Sequence, residues 1–309
     1  MRKLYKYVID YYYAIDFTRF LIITVFTGFF VFLNYQYKID LQIRTLPTVW
    51  LKTAWYSLLF FILFAGTYVI VLIKNKEFKK DYFFYLLLVT APVIFALKMS
   101  FTGISDPYSH VLAFPDGRFW NLTLHWPVKG FFIFLLLCFL WKAGGYKPPV
   151  LGLKWKGTDW KWYFKIFLYM LPFLLLASLT PDFEKTYPRL KAVYFIEEIS
   201  QAPELLYLFY ELCYGSDFFT IEIFFRGFLV MAFIRYAGIN SILPMAVFYC
   251  AIHFGKPLAE CISSYFGGIL LGIIVYRQQS VWGGFFIHLG IAWSMELLSY
   301  INPGGLLSG

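Results

Sequence analysis

Nearly uncharged apolar runs, each bounded by charged residues, recur along the whole chain. A helix needs about 20 such residues to cross the hydrocarbon core of a bilayer. The runs are Phe20 to Tyr37, Thr53 to Ile73, Tyr82 to Leu97, Phe119 to Trp141, Tyr163 to Pro181, Phe218 to Ile234, Ser241 to Phe254, Glu260 to Tyr276 and Val281 to Tyr300. They predict an all-α, polytopic transmembrane helix bundle of about nine spans, with eight as the lower count. Pro92 falls inside the third run, where it kinks a membrane helix without abolishing it. Charged residues make up 15% of the chain and apolar residues 60%. Soluble domains carry about 25% charge, so this surface is built for lipid. Disordered, collagen-like and disulfide-scaffold classes are excluded by the same composition.

The formal charge of +9 is distributed as topology requires. Lys74, Lys76, Lys79 and Lys80 form one cluster between spans, and Lys142, Lys147, Lys154, Lys156, Lys161 and Lys165 form another. With the N-terminus cytoplasmic, both clusters, Arg235 and Arg277 lie inside, as the positive-inside rule demands. The loop from Lys98 to Lys129, with Asp106, His110, Asp116 and His125, then lies outside, as do Lys38, Arg44 and Lys52. Topology accounts for the basic balance, so no nucleic-acid partner is expected. The expected location is the cell (cytoplasmic or inner) membrane, multi-pass. Basic Arg2, Lys3 and Lys6 precede an apolar segment too long for a signal-peptide core, which reads as a retained first span. Cys138, Cys213, Cys250 and Cys261 contain no CxxC pair and read as small hydrophobes.

The stretch Ala143 to Trp162 alternates Trp and Lys among Gly and Pro turn signals, as an interfacial anchor does. It divides the chain into an N-terminal membrane region of about four spans (1–142), a linker (143–162) and a membrane core (163–309). A more polar section between Thr180 and Gly215 predicts one or two outward-facing interfacial helices.

Ionisable groups inside a bilayer cost roughly 2.5–3.5 kcal/mol each on insertion scales and so point to function. Glu222 and Arg226 stand four positions apart in TIEIFFRGFLV, on one helix face. They read either as an intrahelical ion pair or as a carboxylate held ionised for base chemistry. In FYCAIHFGKPLAE, His253 ends one span and Glu260 opens the next, with Gly255 and Pro257 breaking the helix between them. The structural reading is a hydrogen-bonded histidine and a carboxylate favoured by the helix dipole. In IHLGIAWSMELL, His288 lies mid-span and meets partners from another helix, while Glu296 snorkels near an outer helix end. Histidines and carboxylates on neighbouring helices suit acid–base hydrolysis. They equally suit a divalent metal held by His253, Glu260, His288 and Glu296, although no HExxH occurs. No other cofactor is expected.

These segments, in this order, resemble the CPBP family, which groups CAAX-type prenyl proteases with bacteriocin-processing and immunity proteins of the Abi type. The family carries an EExxxR span, an FxxxH span and a final HxxxN/D span. The matches are EIFFRG, YCAIH and IHLGIA, and the Gly-rich SSYFGGILLGII between them is similar too. The resemblance covers roughly Tyr210 to Tyr300 and implies a membrane-embedded endopeptidase whose glutamate and histidines activate water. Carried over by position, Glu222 matches the second Glu, Arg226 the Arg, and His253 and His288 the two histidines. Ile221 stands in place of the first Glu, Tyr249 in place of the Phe, and Ala292 in place of Asn or Asp.

The resemblance thus implies catalytic roles for Glu222, Arg226, His253 and His288. In a site rebuilt around Ile221 and Ala292 the carboxylates of Glu222, Glu260 and Glu296 are the replacements at hand, with Glu222 or Glu260 activating water and the histidines stabilising the oxyanion or moving protons. Its substrate is a membrane protein or lipidated peptide in the bilayer. Ile221 and Ala292 support a different class, a catalytically degenerate immunity or scaffold protein in a membrane complex. The metal-dependent variant and a transporter complete the set.

Overall fold

The computed structural model describes residues 2–73, 81–101, 117–198 and 200–301. Lys74, Lys76, Lys79 and Lys80, and Asp106, His110 and Asp116, lie outside the described residues. Thirteen α-helices follow one another, and no strand occurs, among the described residues. They are α1 (Arg2–Ala14), α2 (Phe17–Tyr37), α3 (Ile39–Arg44), α4 (Val49–Leu72), α5 (Tyr82–Ser100), α6 (Gly117–Ala143) and α7 (Trp160–Ser178). After these come α8 (Pro181–Thr186), α9 (Pro203–Glu222), α10 (Ile234–Ala237), α11 (Ile242–Ala251), α12 (Leu258–Gln278) and α13 (Trp282–Ile301). A π-helix occupies Ile223–Val230, and a 3-10 helix occupies Arg189–Glu198.

Seven of these, α2, α4, α5, α6, α7, α12 and α13, are long and apolar enough to span a bilayer. Their outward faces carry large apolar side chains in the open, such as Phe132 at 65% and Phe173 at 66% exposure. Lipid is the solvent such faces match. Side-chain oxygens start the spans: Asp16 accepts from Thr18 and Arg19 N–H, Thr48 from Leu51, Asp81 from Phe83 and Asp159 from Trp162. The backbone bond from Phe83 holds the Asp81 carboxyl below its ordinary pKa, and Arg235, 3.1 Å away, acts in the same direction.

The structure differs from the sequence reading at three places. Two of the nine expected spans, Phe218 to Ile234 and Ser241 to Phe254, are not among the seven. The second is the ten-residue α11, which at 1.5 Å per residue covers about half the hydrocarbon thickness. The loop expected up to Lys129 is helical from Gly117 onward, so His125 stands within α6. The polar section after Thr180 resolves into α8, the 3-10 helix and the start of α9.

The described chain packs as two compact units that interleave along the sequence. The first comprises residues 1–101, 136–155 and 223–281. Its core is aromatic: Phe60 and Phe248 stand 4.9 Å apart, Phe95 and Phe224 4.9 Å, and Phe225 and Phe248 5.4 Å. Such edge and tilted ring pairs add roughly 0.5–1.5 kcal/mol each beyond area burial. The turn between α11 and α12 is tied to α2, where Asn34 donates to the Phe254 carbonyl at 2.8 Å and Tyr35 to that of Lys256 at 2.6 Å.

The second unit comprises residues 102–135, 156–222 and 282–309. Here α7 packs against α13 at glycines. A Cβ on Gly283 would meet the Tyr163 ring, and one on Gly290 would stand 3.0 Å from Phe167. A second cluster joins Phe119, Leu190, Val193, Ile196 and Tyr210.

Candidate functional site

In the second unit, α9 ends on Glu222, which is fully buried. Its carboxylate faces α13, where Gly284 leaves the space it occupies. A Cβ on Gly284 would lie 2.5 Å from Glu222 Oε2. One turn further along α13, His288 Nδ1 lies 3.2 Å from Glu222 Oε1. The residue one turn before Glu222 completes the pocket, because the Phe218 ring centroid is 4.8 Å from that of His288. Two turns of α9 therefore grip two turns of α13. A carboxylate oxygen accepts from a ring N–H, so a proton on Nδ1 makes this contact a hydrogen bond that orients the imidazole and leaves Nε2 outside it.

In the first unit, Arg226 is fully buried in the π-helix, and its guanidinium carbon stands 4.1 Å from the centroid of the Tyr249 ring. His253, in the turn that follows α11, also meets that ring, with ring centroids 4.7 Å apart. His253 Nδ1 donates to the Tyr249 carbonyl at 2.7 Å, which fixes its tautomer as well. Tyr249 thus joins Arg226 to His253. Next to Arg226 in the π-helix, Gly227 leaves room for the Leu151 carbonyl, which a Cβ there would meet. Single-turn π segments are frequent at functional sites.

The remaining sequence-selected carboxylates are committed elsewhere. Glu260, in the first turn of α12, pairs with Lys256 at 3.2 Å, and both side chains are 26% exposed. Glu296 does not snorkel. It is 6% exposed, and it accepts the Arg189 and Leu190 backbone N–H groups at 2.9 and 3.3 Å, capping the 3-10 helix. No group of three or more His, Cys, Asp or Glu side chains placed to hold a metal exists among the described residues. Ala292, at the third-motif position, is buried in α13, and Ile221 is half-buried.

Residues 206–294 match the family model described as type II CAAX prenyl endopeptidase Rce1-like. This stretch is similar to that family, which is consistent with the CPBP resemblance. Neither the curated proteins nor the solved structures give a match. The Rce1-like stretch contains Glu222, Arg226, His253, Glu260 and His288, and it stops short of Glu296.

The sequence reading missed Gly284 and Phe218, and it gave Tyr249 no role beyond standing in place of the Phe. Gly284 had a signal. It stands one turn before His288 in GGFFIHLG, on the same helix face, where a glycine in a span marks a close approach.

Proposed function

We propose that the protein is an intramembrane endopeptidase that hydrolyses a peptide bond in a membrane protein or lipidated peptide, in the cell membrane. The observation that carries this is the contact of buried Glu222 with partly buried His288 inside the Rce1-like stretch. In this reading Glu222 orients His288, and His288 Nε2 takes the proton of the attacking water, then returns it to the leaving amine. The resemblance assigns Arg226 and His253 to the same reaction. Their support is local: Arg226 is held by the Tyr249 ring, and His253 by the Tyr249 carbonyl. No bound metal or other cofactor enters this scheme.

The test compares the membrane proteome of a deletion strain complemented with wild type, Glu222→Gln or His288→Ala. Positioned acid–base groups contribute roughly 10²–10⁴-fold to rate, so both variants should accumulate the same uncut membrane protein as the deletion. Normal processing in both variants, at normal protein abundance, would overturn the proposal.

A second reading has specific support. Ile221 and Ala292 place apolar side chains at two polar positions of the family pattern, as a non-catalytic scaffold or immunity protein would tolerate. Under it, the deletion has a phenotype that Glu222→Gln complements fully.

A further inference from the structure

The first unit contains a pair of thiols that the hydrolytic reading does not use. Cys250, in the last turn of α11, and Cys261, in the first turn of α12, are both fully buried. Their sulfur atoms stand 3.7 Å apart, and Cys250 Sγ–H also donates to the Cys261 carbonyl at 3.4 Å. The two helices that carry them are held in close register by glycines. A Cβ on Gly268 would stand 3.2 Å from the Tyr249 ring, and one on Gly272 would stand 2.8 Å from Met245. Helix packing, and not the thiols, therefore sets the distance between the two sulfurs. A disulfide needs about 2.05 Å between sulfurs, so oxidation would draw this pair closer.

The segment between the two cysteines is residues 251–260, and it carries His253 and Glu260. The residue that precedes Cys250 is Tyr249, whose carbonyl accepts the His253 Nδ1–H. A bond between the sulfurs would close a ring around the turn and fasten both of its ends.

We propose that Cys250 and Cys261 are a reversible oxidation site whose disulfide clamps the His253 turn. The oxidant is a small neutral peroxide, because full burial excludes a bulky disulfide reagent. One sulfur, as its thiolate, displaces hydroxide from hydrogen peroxide and becomes a sulfenic acid, and the hydroxide leaves as water. The second sulfur displaces hydroxide from the sulfenic sulfur and forms the S–S bond. The sum is two thiols and one peroxide giving one disulfide and two waters. Sulfur is oxidised, peroxide oxygen is reduced, and a dithiol reverses the step. The inference stands on the thiol geometry and is independent of the hydrolytic reading.

The experiment uses the full-length protein in detergent, treated with hydrogen peroxide, quenched and digested after alkylation of free thiols. Mass spectrometry should find the Cys250 and Cys261 peptides joined, with the loss of two hydrogen atoms and no alkylation at either residue. Amide hydrogen exchange across 251–260 should slow by about tenfold or more on oxidation, the least expected when a short loop is closed. Addition of a dithiol should restore the original exchange, and Cys261→Ser should show no peroxide-dependent protection. Alkylation of both cysteines after peroxide, or a disulfide that leaves exchange across the turn unchanged, would overturn the proposal. The wild-type measurements decide the matter alone if Cys261→Ser fails to fold.

Discussion

The Arg226 guanidinium lies over the ring of Tyr249, 4.1 Å from its centroid, inside the apolar core. A cation there is costly unless something holds it, and a desolvated aromatic contact contributes about 2 kcal/mol. The same tyrosine carries His253 through its carbonyl and its ring edge. Tyr249→Phe should keep the stack and leave thermal unfolding in detergent nearly unchanged. Tyr249→Ala removes the ring and leaves a cavity, so it should cost about 3–5 kcal/mol. Equal unfolding temperatures for the two variants would count against the stack as a structural element.

Gly284 tests the pairing of Glu222 with His288 without touching either residue. Its substitution by Ala would put a methyl group 2.5 Å from Glu222 Oε2. Overpacking of this kind costs roughly 1–3 kcal/mol, so the protein should still fold. Processing of the membrane substrate should fall as far as in Glu222→Gln. Unaltered processing in Gly284→Ala, with the protein present at normal abundance, would show that the carboxylate position is immaterial.

Glu260 separates the geometry from the expectation of a rebuilt site in which it activates water. Its partner is Lys256 at the half-exposed turn, and exposed pairs contribute about 0–1 kcal/mol. Glu260→Gln should therefore leave processing within about twofold of wild type, since a general base would cost at least 10². A loss as deep as that of His288→Ala would return Glu260 to the catalytic set.

Glu296 should matter for shape and not for chemistry. Without its carboxylate, the Arg189 and Leu190 N–H groups lose their acceptors. Each buried group left unsatisfied costs about 1–3 kcal/mol. Glu296→Ala should open residues 187–198 to limited proteolysis and to faster hydrogen exchange. Unchanged protection there would contradict the capping contact.

The bundle, the three polar segments and the family likeness were legible in the sequence because they are local patterns. Runs of apolar residues mark helices, and EIFFRG, YCAIH and IHLGIA are short strings. What escaped was the pairing between distant strings. Nothing in IHLGIA says that His288 meets Glu222, because 66 positions separate them and only helix packing closes the gap. Glu296 was misread for a related reason. A carboxylate near a helix end in lipid ordinarily reaches for water, and its real partners are backbone groups that carry no side-chain signature. Hydropathy marked α11 as a span because a fully buried short helix is as apolar as a lipid-crossing one.

The π-helix at Ile223–Val230 sets how this stretch can vary between related chains. Its wider turn accommodates more residues than an α-helix of the same rise. Deleting one residue there would relax the ladder to ordinary α geometry at little cost in backbone hydrogen bonds. Side chains inside the relaxed turn would then be re-aimed about the axis, while those beyond it keep their places. Arg226 would swing off Tyr249 although no residue of either motif had been exchanged. Substitution in the π segment is a question of fit, whereas a change in its length is a change of phase.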